Sequence, residues 1–298
     1  MSHRSSAGGF TLIEMSIVLV IIGLIVGGIL IGRDLISAAA VRAQVAQIGK
    51  YNSAANTFRD KFGGLPGDLP APYANQFGFQ ARGLYTGEGD GNGIITGIFV
   101  DAPNSSFGAS EGAGETVMFW VDLSTARLID GGFNTASANA LSGVVTLTST
   151  PNVSAYLPQA RIGQGNYLYV WSGGINGSNN AVGDGNNYFG ISAAVSISAG
   201  CGGCLISTPG LSVTQAYDID RKVDDGYPQT GRVLAQYVNL PTGGSNGIVW
   251  AGASGTAATQ GTPATCYDNG NAGGATQKYS LEENNGNGIN CALSVIFQ

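Results

Sequence analysis

Phe10 to Ile31, FTLIEMSIVLVIIGLIVGGILI, is an apolar run with one ionisable side chain, Glu14. At a rise of 1.5 Å per residue, a helix of this length covers roughly 33 Å, enough to cross the hydrocarbon core of a bilayer. A carboxylate inside hydrocarbon costs about 2.5 kcal/mol or more on insertion scales, so one placed near the start of the run implies a role and a partner. An ordinary single-pass anchor has no use for that charge. A secretory signal fits no better. Its apolar region spans about 7–15 residues and is followed by a small-residue cleavage site. Here the run is longer, and Arg33-Asp34 separate it from Ala38-Ala39-Ala40.

Downstream, Val41, Val45, Ile48, Ala55, Phe58 and Phe62 recur at helical spacing and predict that the helix continues to Phe62. This apolar stripe should face a globular domain, leaving Arg42, Gln44, Lys50 and Asn56 toward solvent or neighbouring chains. Gly63-Gly64 and Pro66 end the helix. Gly23, Gly27, Gly28 and Gly32 each weaken it by about 1 kcal/mol relative to alanine, so two helices with a break between them are the alternative.

Upstream lie Arg4 and Gly8-Gly9. Gly9-Phe10-Thr11-Leu12-Ile13-Glu14, followed by the apolar run, closely resembles the N-terminus of type IV prepilins and type II secretion pseudopilins. The resemblance covers the first fifty or so residues firmly and the rest loosely. It implies that prepilin peptidase cuts between Gly9 and Phe10, that Phe10 is then N-methylated, and that Glu14 pairs with the N-terminal amine of a neighbouring subunit. It also implies insertion in a bacterial inner membrane with the head outside the cytoplasm. The partners would be the peptidase, an inner-membrane assembly platform and other pilin or pseudopilin subunits, and the product a periplasmic or cell-surface filament. Physical chemistry supports the pairing. Amine and carboxylate neutralise each other in an apolar bundle, and removing one member of such a pair costs about 3–5 kcal/mol by stranding the other. Many type IV pilins carry a proline inside the span; this chain has none.

The expected organisation is therefore a leader at 1–9, a transmembrane and amphipathic spine at 10–62, and an extracytoplasmic head at 63–298. The fold class is α+β: a long N-terminal helix packed on a glycine-rich, β-rich, pilin-like head. Composition agrees, since 43% hydrophobic residues allow a sizeable core while only 11% are charged. A net charge of −6 argues against a nucleic-acid surface, which needs a basic patch.

Residues 63–114 read as loops. Within them Glu88-x-Asp90-x-Asn92 offers oxygen ligands at alternate positions, a pattern suited to Ca²⁺, and some major pseudopilins carry calcium in their loops. The segment departs from the EF-hand pattern, with Ile95 at the sixth position counted from Asp90, and a solvated glycine turn is the plainer reading. Asp184-Gly185-Asn186 is a similar turn. A helix is expected over Glu115–Ile129, with Trp120 in the core, and another opened by the capping box Ser212-x-x-Gln215 and running to Val223. Asp218, Asp220, Asp224 and Asp225 beside it read as a solvated face or a second place for a cation. Strands are expected at Val144–Thr148, Tyr167–Trp171, Tyr188–Ser198, Val233–Val238, Ile248–Ala251 and Cys291–Phe297.

Four cysteines, Cys201, Cys204, Cys266 and Cys291, suit disulfides in an exported protein. Three pairings are open. The favoured one is Cys201–Cys204 with Cys266–Cys291, the latter closing a loop of about 26 residues worth roughly 3 kcal/mol in the chain-entropy model. A C-terminal disulfide loop is also similar to that of many type IV pilins. Zinc is disfavoured because no second close cysteine pair or histidine set accompanies Cys201-x-x-Cys204.

The one histidine, His3, lies in the expected leader, so histidine-based nucleophilic schemes and metal sites have no candidate in the processed chain. No G-x-S-x-G sequence joins an expected strand to an expected helix, as a nucleophile elbow must, and no nucleotide-binding glycine loop follows a strand. The expectation is a non-enzymatic filament subunit. A minor subunit or adhesin binding a surface or ligand at the filament tip is the alternative.

Overall fold

The computed structural model describes residues 11–80, 89–97, 114–133, 153–174, 184–198, 204–240, 247–252, 261–270 and 276–297. One unbroken helix, α1, runs from Leu12 to Phe62. By packing, the chain divides into two units between Ala40 and Val41.

The first unit is the apolar half of α1. Its side chains are exposed all round, Leu12 to 91%, Ile21 to 51% and Ile36 to 72%. It is long and apolar enough to cross a membrane, and none of its most apolar window is buried. A helix that is apolar on every face and exposed along its length needs lipid or other chains around it.

In the second unit the rest of α1 joins a sheet-based head. Helices α2 (Ala71–Phe77), α3 (Glu115–Thr125) and α4 (Val213–Val223) accompany strands β1 (Asn166–Ser172), β2 (Asn187–Ser198), β3 (Cys204–Thr208), β4 (Leu211–Ser212), β5 (Val233–Leu234), β6 (Gln236–Val238), β7 (Ile248–Trp250), β8 (Tyr267–Asp268), β9 (Lys278–Tyr279), β10 (Ile289–Cys291) and β11 (Leu293–Ile296). The main sheet has the order β1-β2-β11-β5, with β3 also on β2, and every pairing is antiparallel. Three small antiparallel pairs, β4–β10, β6–β7 and β8–β9, complete the described strands. A long helix followed by a mostly antiparallel head is the α+β layout expected, and it fits a pilin-like fold.

The core forms where α1 and α3 meet the sheet. The Tyr51 ring meets Trp120 edge-on at 5.1 Å, Phe119 lies 6.0 Å from Phe189, and Phe189 stacks on Phe297 at 4.2 Å. Trp120 is fully buried, as its apolar neighbourhood in sequence predicts. A second aromatic group, Phe58, Phe62, Phe77 and Phe79, closes the end of α1.

Several expectations are corrected. Residues 71–77 are helical rather than loop, because Phe77 and Phe79 dock on Phe62. Seven residues are too few to show a period, and Gly78 caps the helix in the left-handed region at φ 76°. Gln44 is buried instead of facing solvent. Its Oε1 accepts from the Ile162 N–H, while Gln47 accepts from Arg161 N–H and donates to the Gln159 carbonyl. Two glutamines thus grip the backbone leading into β1. The third helix stops at Thr125, since Arg127 turns to φ 56° and Leu128 N–H returns to the Leu123 carbonyl. The runs 233–238 and 291–297 each break into two strands as the chain changes sheets. The strand expected at 144–148 lies outside the described residues.

Candidate functional site

Three acidic groups stand out, one at the start of α1 and two in the head. Gly9 and Phe10, the expected processing pair, lie outside the described residues. Glu14 occupies the first turn of α1, where the helix macrodipole favours negative charge. Its Oε2 accepts from the Thr11 backbone N–H at 2.7 Å and from the Thr11 hydroxyl at 2.8 Å, while Glu14 N–H donates to Thr11 Oγ1 at 3.3 Å. This is a complete capping box, and it holds the carboxylate against its own helix start. The signal Thr11-x-x-Glu14 was available in the sequence but masked by the apolar run around it.

The head centre is assembled from three distant segments. After α1 the chain turns through Gly67, at φ 85°, where a Cβ would sit 2.3 Å from the Glu115 carbonyl oxygen. Only glycine allows that approach. It delivers Asp68 beside Glu115, the first residue of α3. The Asp68 carboxylate accepts the N–H groups of Gly91 and Gly93, each at 2.8 Å. The Glu115 carboxylate accepts Gly89 N–H at 2.7 Å, Thr96 N–H at 2.8 Å and the Thr96 hydroxyl at 3.0 Å. From β2, Asn187 accepts Ile95 N–H and donates to the Gly93 carbonyl. Two carboxylates and one carboxamide therefore hold a glycine-rich loop in place.

Asp68 and Glu115 are 0% and 1% exposed. Burial, with the nearby charge of Asp90, pushes the Asp68 carboxyl up to about 6, against the pull of its backbone donors. Burial and the facing Asp68 charge push Glu115 well above the usual carboxylate range. Two such groups side by side titrate as a pair and hold on to a proton.

Of the loop residues proposed as oxygen ligands, Glu88 lies outside the described residues. Asp90 joins Asp68 and Glu115, and the three offer carboxylate oxygens within 4.8 Å of one another. Asn92 is committed to shaping the loop, donating to Asp90 Oδ2 at 2.8 Å and accepting Ile94 N–H at 2.7 Å. A divalent cation at this cluster would meet Asp68, Asp90 and Glu115, and of these the local spacing in the sequence had pointed to Asp90.

Asp220, Asp224 and Asp225 also place carboxylate oxygens within 4.8 Å. They are not a simple solvated face. Asp220 is fully buried, accepting the Tyr279 hydroxyl at 2.8 Å and Gly226 N–H at 3.0 Å, and burial pushes its carboxyl up to about 7. Asp184 accepts from the Tyr188 hydroxyl and closes its own turn. Cys266 and Cys291 form a disulfide that ties β8 to β10, and Cys204 is disulfide-bonded, while Cys201 lies outside the described residues.

Residues 4–30 match the family model for the prokaryotic N-terminal methylation motif, the prepilin signal of type IV pilins and pseudopilins. No curated protein and no solved structure matches the chain.

Proposed function

We propose that this chain, carrying a prepilin signal on an exposed, membrane-length apolar helix, is a structural subunit of a type IV pilus or pseudopilus-like filament. Prepilin peptidase removes the leader between Gly9 and Phe10, and Phe10 is N-methylated. The subunit waits in the inner membrane with its head outside the cytoplasm until an assembly platform draws it into a filament. There α1 bundles with its counterparts, and Glu14 exchanges its local hydrogen bonds with Thr11 for the amine of a neighbouring subunit. The supporting observation is the coincidence of the methylation motif at 4–30 with a helix half whose most apolar window is exposed among the described residues. The motif points to a structural subunit rather than an enzyme.

A minor subunit or adhesin at the filament tip is the second reading, favoured by a cleft of about 730 Å³ in the head. Mass spectrometry of the N-terminus tests the main reading. The expected product begins with methylated Phe10. A chain that keeps residues 1–9 in a host with active peptidase overturns it.

A further inference from the structure

Asparagine followed by glycine is chemically labile, because glycine has no side chain to hinder attack of its own amide nitrogen on the asparagine carboxamide. Four such steps lie wholly among the described residues, at 92–93, 269–270, 285–286 and 287–288, and two more, at 176–177 and 246–247, extend outside them. We propose that Asn287 is a modification site, where the folded head deamidates itself to aspartate and isoaspartate ahead of the other three described steps.

The fold blocks those three. Gly93 N–H donates to Asp68 at 2.8 Å, and both ends of the Asn92 carboxamide are committed: Nδ2 donates to Asp90, and Oδ1 accepts from Ile94 N–H. Gly270 N–H donates to Asp268 Oδ1 at 2.7 Å. Gly286 is buried in the short 3-10 turn Glu283–Gly286, and the Thr214 hydroxyl donates to its carbonyl at 3.1 Å.

Asn287 differs on each count. Its side chain is exposed, and its carboxamide makes one bond to a described residue, from Nδ2 to the Asn284 carbonyl at 3.3 Å, which is long for an N–H donor. Neither the Asn287 carbonyl nor the Gly288 N–H is bonded to a described residue, so the peptide unit between them is free to turn. The anchors lie on either side of it. Asn287 N–H donates to the Asn284 carbonyl and the Gly288 carbonyl accepts Val213 N–H, both at 3.1 Å.

The step balances with water as its only co-reactant. Hydroxide takes the Gly288 amide proton, the nitrogen bonds to Asn287 Cγ, and Nδ2 leaves as ammonia, closing a cyclic imide. Water then opens the ring at either carbonyl. One opening gives aspartate; the other gives isoaspartate, whose backbone is longer by a methylene. Either product adds a carboxylate to a segment that already carries Glu282 and Glu283.

The test incubates the full-length chain in detergent at mildly alkaline pH and follows each step by peptide mass spectrometry, with electron-transfer fragmentation separating isoaspartate from aspartate. Asn287 should convert about tenfold faster than Asn92, Asn269 and Asn285, the factor expected when one backbone hydrogen bond need not be broken first. In denaturant with the disulfides reduced, the four should convert at similar rates. Asn287→Gln should remove the fast conversion and leave the other three rates unchanged. Equal or faster conversion of any of the other three in the folded chain, retention of Asn287, or the same order of rates in denaturant overturns the proposal. The readout does not depend on processing or polymerisation, so it stands or falls apart from the filament reading.

Discussion

Glu14 and Glu115 both sit in the first turn of a helix, and both accept backbone hydrogen bonds. For Glu14 the donor is Thr11, three residues away, on an exposed helix end. For Glu115 the donors are Thr96 and Gly89, 19 and 26 residues away, inside the head. One carboxylate is satisfied by its own turn and stays available to another chain. The other is satisfied only when three segments converge, and it then becomes part of the core. Under the proposed function, the same residue in the same local position would serve assembly in one region, while it serves folding in the other.

The contrast can be broken most directly by removing each acid in turn. Under the proposed assembly, Glu14→Ala should be processed normally and yet give no filaments by electron microscopy, with the thermal midpoint of the head unchanged. Full assembly of this variant would remove Glu14 from the mechanism. Glu115→Ala should do the reverse to stability. It strands the Gly89 and Thr96 N–H groups inside the head, at about 1–3 kcal/mol per buried group. A loss of about 3 kcal/mol should lower the midpoint by roughly 6–12 °C in calorimetry, given about 2–4 °C per kcal/mol for a head of this size.

A smaller effect is expected from pH. Asp68, pushed up to about 6, and Asp220, pushed up to about 7, hold protons more tightly in the folded head than in the unfolded chain. Unfolding between about pH 4 and 7 therefore releases protons, and stability falls as pH rises through that window. The contribution is complete below the unfolded carboxylate range near 4 and lost by about 7. The midpoint should be several degrees higher at pH 5 than at pH 8, and Asp220→Asn should flatten the upper part of the curve. Millimolar Ca²⁺ at pH 8 should raise the midpoint if Asp68, Asp90 and Glu115 take an ion, and leave it unchanged if a proton alone neutralises them.

The smallest change should follow from Thr11→Ala. Losing the capping box costs about 1 kcal/mol. In micelles the first-turn amides of α1 should exchange about fivefold faster by NMR, with the head unaffected.

How far the sequence reaches follows from the range of the forces involved. The span, the continuation of α1 to Phe62 and the capping box at Ser212 and Gln215 were legible because their signals are periodic or lie within four residues. The strands expected at 167–171 and 188–198, observed at 166–172 and 187–198, were legible too, since buried β-structure concentrates aromatic and branched residues. Helix α2 was not, because its formation depends on aromatic contacts with Phe62 rather than on a pattern of its own. Gln44 was misplaced for a related reason: a carboxamide on a helix becomes a buried clasp only when a backbone segment arrives to meet it.

By itself, then, the sequence determined the membrane-length helix, the methylation motif and the lone acid that marks its start, since hydrophobic length and local hydrogen bonding act within a single segment. Only the tertiary structure decided which acids work together. Asp68, Asp90 and Glu115 meet, Asp220 is buried under Tyr279, and a polar aromatic cleft opens beside it. A carboxylate takes its burial, its proton and its partners from whatever the fold brings near, and nothing in its immediate neighbours along the chain records that.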